Sequence, residues 1–153
     1  MLRKFFLLLG IFFSITTTHA GIAFHDTQGH TFHTANFKGK WIVINFWAPW
    51  CSSCASEIPQ LNEFYRQKKP NVLFFGFDYD APSMDILLTQ IHQLGIQYPV
   101  LVENPERLWQ FGNIDVIPMT FIINPQGEIV KKILGTNSAQ SLQNTLNDLQ
   151  NAS

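Results

Sequence analysis

The sequence of 153 residues has little cysteine and little charge. It contains two cysteines, and only 14% of its residues are Asp, Glu, Lys or Arg. Ten basic residues stand against eleven acidic ones, for a formal net charge of −1. Because there is neither a basic excess nor an interleaving of basic and aromatic residues, we expect no nucleic-acid partner. With one possible cysteine pair, Cys51 and Cys54, the chain has no further pair to serve as a structural disulfide.

Long hydrophobic runs are also scarce, and the longest lies at the N-terminus. Arg3 and Lys4 precede the apolar stretch from Phe5 to Ile15, and Ala20 offers a small residue before a cleavage site. This order is typical of a secretory signal peptide. We therefore predict a signal peptide at 1–20 and a single domain at 21–153. An uncleaved anchor formed by residues 5–18 is the alternative, although the stretch is short for a span of about 20 residues.

The predicted export bears on whether the two cysteines form a structural or a redox-active disulfide. The segment after Ala20 carries eight basic and eleven acidic residues, and its length suits one domain with a core of its own. In a periplasmic or otherwise extracytoplasmic space, disulfides persist. Since no cysteine remains for a structural bridge, the Cys51–Cys54 pair is free for redox chemistry.

The position of this pair along the chain supports the same chemistry. Residues Trp41 to Trp47 form an apolar run typical of a buried strand, and a helix is predicted from Ser52 onward. The first free N–H groups of a helix favour a thiolate, so we predict Cys51 as the nucleophile and Cys54 as the resolving cysteine. A redox-active Cys51–Cys54 disulfide is then the only cofactor expected. Half of a zinc site is the alternative, but it needs two further ligands that the sequence does not supply, so we expect no metal.

The remaining pattern predicts an α/β fold with a central mixed β-sheet and helices on both faces. A Gln28-Gly29 turn indicates an N-terminal β-hairpin, and the Pro125-Gln126-Gly127 turn indicates two antiparallel strands. Further strands are expected at 71–77, 98–102, 119–124 and 128–134, and helices at 52–69, 83–94, 105–111 and 138–149.

Three motifs together resemble the thioredoxin superfamily, and more closely its exported TlpA/ResA/DsbE-like branch. They are Trp47 to Pro59, Ile117 to Phe121 and Asn124 to Gly127. The resemblance implies a thioredoxin-like fold with a βα insertion at 78–98. It also implies that Pro118 is cis and faces the dithiol, and that the backbone of Ile117 pairs with the substrate chain. Trp50, beside the first cysteine, is expected to offer an apolar contact to the partner.

The proton chemistry of Cys54 requires a base. Many thioredoxins, to which the chain is similar, carry a buried aspartate six residues before the first cysteine, but this chain has Asn45 there. Glu57 lies three residues after Cys54 on the predicted helix and matches a glutamate of the exported branch. We predict that Glu57 tunes Cys54 and takes part in its proton transfer. A solvated carboxylate on the helix surface is the alternative.

The residues between the cysteines bear on whether the dithiol reduces or oxidises its substrates. Ser52 and Ser53 supply no histidine or cation that would stabilise the reduced thiolate strongly, which favours a reductant of protein disulfides. A reductant in an oxidising compartment needs a supply of electrons, for which we expect a membrane thiol-disulfide partner. The resemblance implies apocytochrome c as a substrate. A disulfide oxidase or isomerase remains an alternative, as does a non-turnover binding chaperone for copper or apocytochrome. A peroxidase is less favoured, because peroxide-reducing families use a lone cysteine.

Overall fold

A computed structural model describes residues 21–67 and 69–152. The predicted signal peptide or anchor lies outside the described residues. Within the described ranges, none of the helices combines the length and the apolar character needed to cross a membrane.

The centre of the fold is a four-stranded mixed sheet. Its strands are β3 (Trp41–Trp47), β4 (Val72–Asp78), β5 (Met119–Ile123) and β6 (Ile129–Leu134), and they lie in the order β4–β3–β5–β6. β3 pairs parallel with β4 and antiparallel with β5, and β5 pairs antiparallel with β6. Every residue of β3 is buried, as expected for a central strand covered on both faces.

Short elements precede this sheet, and longer helices connect its strands. The predicted hairpin is present as an antiparallel pair, β1 (Ala23–His25) and β2 (Thr31–His33), and is followed by a short helix α1 (Thr34–Phe37). The main helices are α2 (Ser52–Arg66), α3 (Met84–Leu94) and α4 (Ala139–Asn151). Because α2 links the parallel strands β3 and β4, the three form a βαβ unit.

Alternation along β3 divides the core into two layers. Val43 and Trp47 face the layer that holds the buried residues of α2, α3 and α4. Ile44 and Phe46 face the opposite layer, which is closed by the hairpin, α1 and the aromatic segment around Trp109. The predicted α/β fold, with helical segments on both faces of a mixed sheet, is therefore confirmed.

Two predicted elements are shorter in the structure. The strand expected at 98–102 forms only isolated bridges, Gly76 to Val100 and Asp26 to Leu101. Pro99 has no N–H to donate to β4, so a longer ladder cannot form there. The helix expected at 105–111 is a 3₁₀ helix at Pro105–Arg107. Beyond it, Trp109 and Phe111 are buried against the sheet.

Candidate functional site

The two cysteines form a disulfide across the first turn of α2, with their Cα atoms 5.2 Å apart. Cys51 ends the β3 loop in an extended conformation and occupies the N-cap of the helix, where its Sγ accepts the Cys54 backbone N–H at 3.1 Å. Cys51 is 7% exposed and Cys54 is 1% exposed. Cys51 is thus the more accessible cysteine, and it sits where the helix stabilises negative charge.

The Ile117-Pro118 segment forms the opposite wall of the site. The peptide bond between these residues is cis, as the resemblance implied. The Sγ of Cys51 lies 3.7 Å from the carbonyl oxygen of Ile117. The carbonyl of Pro118 accepts the Gly135 N–H at 2.9 Å, which ties the segment to the end of β6. Residues sixty-six positions apart in sequence therefore meet at the disulfide.

Glu57 is buried in α2, with 2% of its surface exposed. Its Oε1 accepts the backbone N–H of Asn137 at 2.6 Å and the side-chain amide of Asn137 at 3.1 Å. Its Oε2 accepts the Asn45 amide at 3.2 Å. Glu57 is therefore not a solvated residue of the helix surface.

Thr120 supports this arrangement from the next strand. Asn45 and Thr120 are register partners on β3 and β5, and the Asn45 amide donates to Thr120 Oγ1 at 3.0 Å. The Asn137 amide lies 3.4 Å from the same oxygen. Glu57, Asn45, Thr120 and Asn137 form a buried polar cluster, called the Glu57 cluster below. Burial raises the pKa of Glu57, and the hydrogen bonds from Asn137 and Asn45 partly oppose that rise.

Trp50 and Trp47 bracket the loop before Cys51 and differ in exposure. Trp47 is fully buried, as predicted for a core residue, whereas Trp50 is 66% exposed. The Trp50 indole N–H donates to Asp80 Oδ2 at 2.8 Å. This contact brings the loop after β4 to the edge of the dithiol.

The model of the AhpC/TSA family matches residues 15–132, which is most of the sequence. The chain belongs to the AhpC/TSA family.

Curated relatives of this AhpC/TSA chain carry the name thiol-disulfide oxidoreductase ResA. The protein from Geobacillus kaustophilus is 25% identical over 138 residues, covering 90% of this chain and 79% of the relative. The protein from Bacillus subtilis is 27% identical over 126 residues, covering 80% of this chain and 68% of the relative. With the Cys51–Cys54 disulfide, these relatives establish a thiol-disulfide oxidoreductase of the TlpA/ResA/DsbE-like type.

Solved structures agree with this fold. A thiol:disulfide interchange protein of the thioredoxin family from Chlorobium tepidum is 27% identical, with a TM-score of 0.67, over 82% of this chain and 90% of its own. StoA from Bacillus subtilis is 24% identical, with a TM-score of 0.68, over 80% of this chain and 93% of its own, and supports the fold alone.

Sequence reasoning placed most parts of the site in this AhpC/TSA protein but missed three. Thr120 and Asn137 were not predicted to contact Glu57, and no contact was predicted between Asp80 and Trp50. One signal was available, because Asn45 and Thr120 are polar residues inside apolar strands. Such residues need buried partners. Nothing local in the sequence indicates Asn137, which lies eighty positions from Glu57.

Two histidines of the hairpin lie beside carboxylates. His25 Nδ1 lies 2.6 Å from Glu103 Oε1, and His30 Nδ1 lies 2.9 Å from Asp26 Oδ2. In the part of the chain that the structure describes, no three or more His, Cys, Asp or Glu side chains are grouped as metal ligands would be.

Proposed function

We propose that the protein is an extracytoplasmic reductant of protein disulfides that works by dithiol-disulfide exchange through Cys51 and Cys54. The observation that carries the proposal is the disulfide at the N-terminus of α2, with Cys51 Sγ 3.7 Å from the Ile117 carbonyl. The Ile117 backbone beside the reactive sulfur, two residues before β5, offers a place for a substrate chain to pair.

The exchange proceeds in two balanced steps. In the reduced protein, the Cys51 thiolate attacks one sulfur of the substrate disulfide, which forms a mixed disulfide and releases the other substrate sulfur as a thiolate. The Cys54 thiolate then attacks Cys51 Sγ, which releases the second substrate sulfur and closes the Cys51–Cys54 ring. The substrate gains two electrons, and the dithiol of the protein is oxidised.

Glu57 serves the second step in this proposal. Cys54 is buried and must lose its thiol proton before it attacks, and Glu57 lies one turn further along α2. A carboxylate whose pKa is raised by burial holds a proton more readily at neutral pH than a solvated one, so it is a better acceptor for a thiol proton. The Glu57 cluster holds this carboxylate in place.

The residues beside Cys51 are the proposed substrate contacts. Ile117 supplies backbone groups for pairing, and Pro118 is the buried residue that follows it. Trp50, directly before Cys51 in the sequence, provides an exposed apolar surface. An extended protein segment with a disulfide and apolar neighbours fits these contacts.

The reducing direction rests on what surrounds Cys51. Strong oxidants stabilise their reduced thiolate, and Ser52 and Ser53 provide no cation for that purpose. In an oxidising compartment such a reductant needs a supply of electrons, for which we propose a membrane thiol-disulfide partner. Apocytochrome c, whose haem-attachment dithiol must be reduced before haem is attached, is the proposed substrate.

The redox potential tests this direction. The protein without residues 1–20 is equilibrated with glutathione buffers, and the Cys51–Cys54 ring is followed by thiol alkylation. We expect a potential nearer that of thioredoxin, about −270 mV, than that of a strong oxidant, about −120 mV. The reduced protein should also reduce a disulfide peptide with the Cys-x-x-Cys-His spacing of haem attachment. A potential near the oxidant value would reverse the proposed direction.

A further inference from the structure

Trp50 makes a long-range hydrogen bond although most of its surface faces solvent. The residue is 66% exposed, yet its indole N–H donates to Asp80 Oδ2 at 2.8 Å across thirty positions of sequence. An exposed side chain normally samples several rotamers, and fixing one has an entropic cost. A hydrogen bond to a carboxylate is roughly twice as strong as one between neutral groups, so it favours one rotamer of the indole.

The residue that accepts this bond is itself held by the sheet. The Asp80 backbone N–H donates to Asp78 Oδ1 at 3.0 Å, and Asp78 is buried at the end of β4. The Tyr79 N–H donates to the Trp47 carbonyl at 2.8 Å, and the Ala81 N–H donates to the Asp78 carbonyl at 3.0 Å. The loop after β4 is thereby joined to β3 only three residues before Trp50.

The hydrogen bond to Asp80 determines which surface of Trp50 a partner protein meets. The indole is held between two anchored segments, and its only polar atom is already occupied by Asp80. What Trp50 presents beside Cys51 is therefore an apolar ring in one orientation. A partner protein that contacts a preorganised ring does not lose the freedom of that ring on binding. A small disulfide, which reaches only the sulfur, gains nothing from it.

We propose that Asp80 is a specificity-determining residue that positions Trp50 for protein substrates, and this inference rests on the proposed reduction of protein disulfides. It acts through Trp50 and does not touch the reacting sulfurs. Asp80 thereby favours reduction of protein disulfides over small-molecule disulfides.

The first test compares two substrates across matched variants. Asp80→Ala removes the acceptor, Asp80→Asn keeps an acceptor oxygen without the charge, and Trp50→Phe keeps a ring without the N–H. Asp85→Ala, an exposed acid at the start of α3, is the control. We expect Asp80→Ala and Trp50→Phe to lose about three- to tenfold in kcat/KM with insulin, mainly through KM, because one exposed hydrogen bond is lost. Asp80→Asn should keep most of the activity, and the Asp80 variants should reduce Ellman's reagent within about twofold of the wild-type rate.

A double variant distinguishes positioning from general damage. If Asp80 acts through Trp50, Asp80→Ala combined with Trp50→Phe should be no slower with insulin than the slower single variant. Multiplicative losses would overturn the proposal. Equal losses with insulin and Ellman's reagent would also overturn it, since they would show that the Asp80 charge acts on the dithiol itself.

A spectroscopic readout separates this proposal from the proposed function. The Trp50 indole N–H signal in a ¹⁵N–¹H spectrum should exchange slowly with solvent in the wild type and rapidly in Asp80→Ala. Rapid exchange in both would contradict the positioning of Trp50 by Asp80.

If the wild type does not reduce insulin at all, the proposed function fails, and the same variants are compared for oxidation of a reduced peptide dithiol. The same order of rates is expected there, and an unchanged rate in Asp80→Ala would refute the role of Asp80.

Discussion

The Asn137 backbone N–H donates to Glu57 Oε1 at 2.6 Å, although eighty positions separate the two residues. Asn137 directly precedes Ser138, the N-cap of α4, while Glu57 lies one turn beyond the disulfide on α2. The side-chain amide of Asn137 adds a second bond to the same oxygen. The start of α4 therefore holds the buried carboxylate that we propose as the proton acceptor.

Asn137→Ala should lower stability. It removes the amide that reaches both Glu57 and Thr120 and leaves buried acceptors less satisfied. We expect a loss of about 1–2 kcal/mol in the free energy of unfolding, measured by urea denaturation at pH 7. Asn144→Ala, on the exposed face of α4, is the matched control and should change stability by less than about 0.5 kcal/mol. Equal effects of the two substitutions would contradict a structural role for the Glu57 cluster.

Glu57→Gln should slow the second step of exchange. Gln keeps the shape of the side chain but has no carboxylate to take the Cys54 proton, so we expect resolution of the mixed disulfide to slow by about tenfold or more near neutral pH. Quenched-flow alkylation of a preformed mixed disulfide measures this step directly. Attack by Cys51 on a fresh disulfide should keep its rate. Unchanged resolution across pH 6–9 would remove Glu57 from the mechanism.

Asp78→Asn should flatten the pH dependence of stability. Burial raises the pKa of Asp78 from 3.8 to about 6, and the nearby Asp80 charge adds to the rise. Between these values the folded state retains a proton that the unfolded state releases, so stability falls as pH rises through this window. The shift corresponds to at most about 3 kcal/mol, which Asn in place of Asp removes.

Urea midpoints measured from pH 4 to pH 8 check this expectation. The wild type should lose more stability over the range than Asp78→Asn. Asp85→Asn, at the exposed start of α3, should follow the wild type. A wild-type slope in Asp78→Asn would show that the carboxyl of Asp78 does not titrate in this window.

Cys54→Ser should retain its substrate as a stable mixed disulfide. Cys51 remains able to attack, but no second thiol is present to release the product, so the complex should accumulate. Mass spectrometry of the trapped species identifies both the partner and the linked cysteine. Cys51→Ser is the control and should trap little. Trapping mainly through Cys54 would reverse the assigned roles.

The sequence was sufficient where the chemistry is local. The Cys-x-x-Cys spacing, the apolar run of β3 and the start of α2 are short-range features, and they placed the disulfide at a strand-to-helix junction. The hairpin and the pair β5–β6 followed from turns a few residues long. The strand at 98–102 was overestimated, because the pattern there does not show that Pro99 leaves only a single bridge to β4.

Contacts between residues far apart in the sequence could be predicted only in part. The resemblance located Pro118 opposite the dithiol, but no periodicity in the sequence would do so. Gly76 is a second example, because glycine is unfavourable inside a strand and the sequence alone gives no reason for it there. In the fold, a Cβ there would lie 2.8 Å from the Tyr98 ring and 3.1 Å from Trp47 Nε1, so the close packing of these rings requires glycine.

The sequence by itself determined the kind of chemistry, because a dithiol ring and the helix N-terminus beside it are built from neighbouring residues. Only the tertiary structure decided the surroundings of that ring. It made Glu57 a buried carboxylate with fixed partners, and it placed Asp80 against Trp50. These contacts join residues thirty to eighty positions apart, and their partners are set by how the sheet and helices pack.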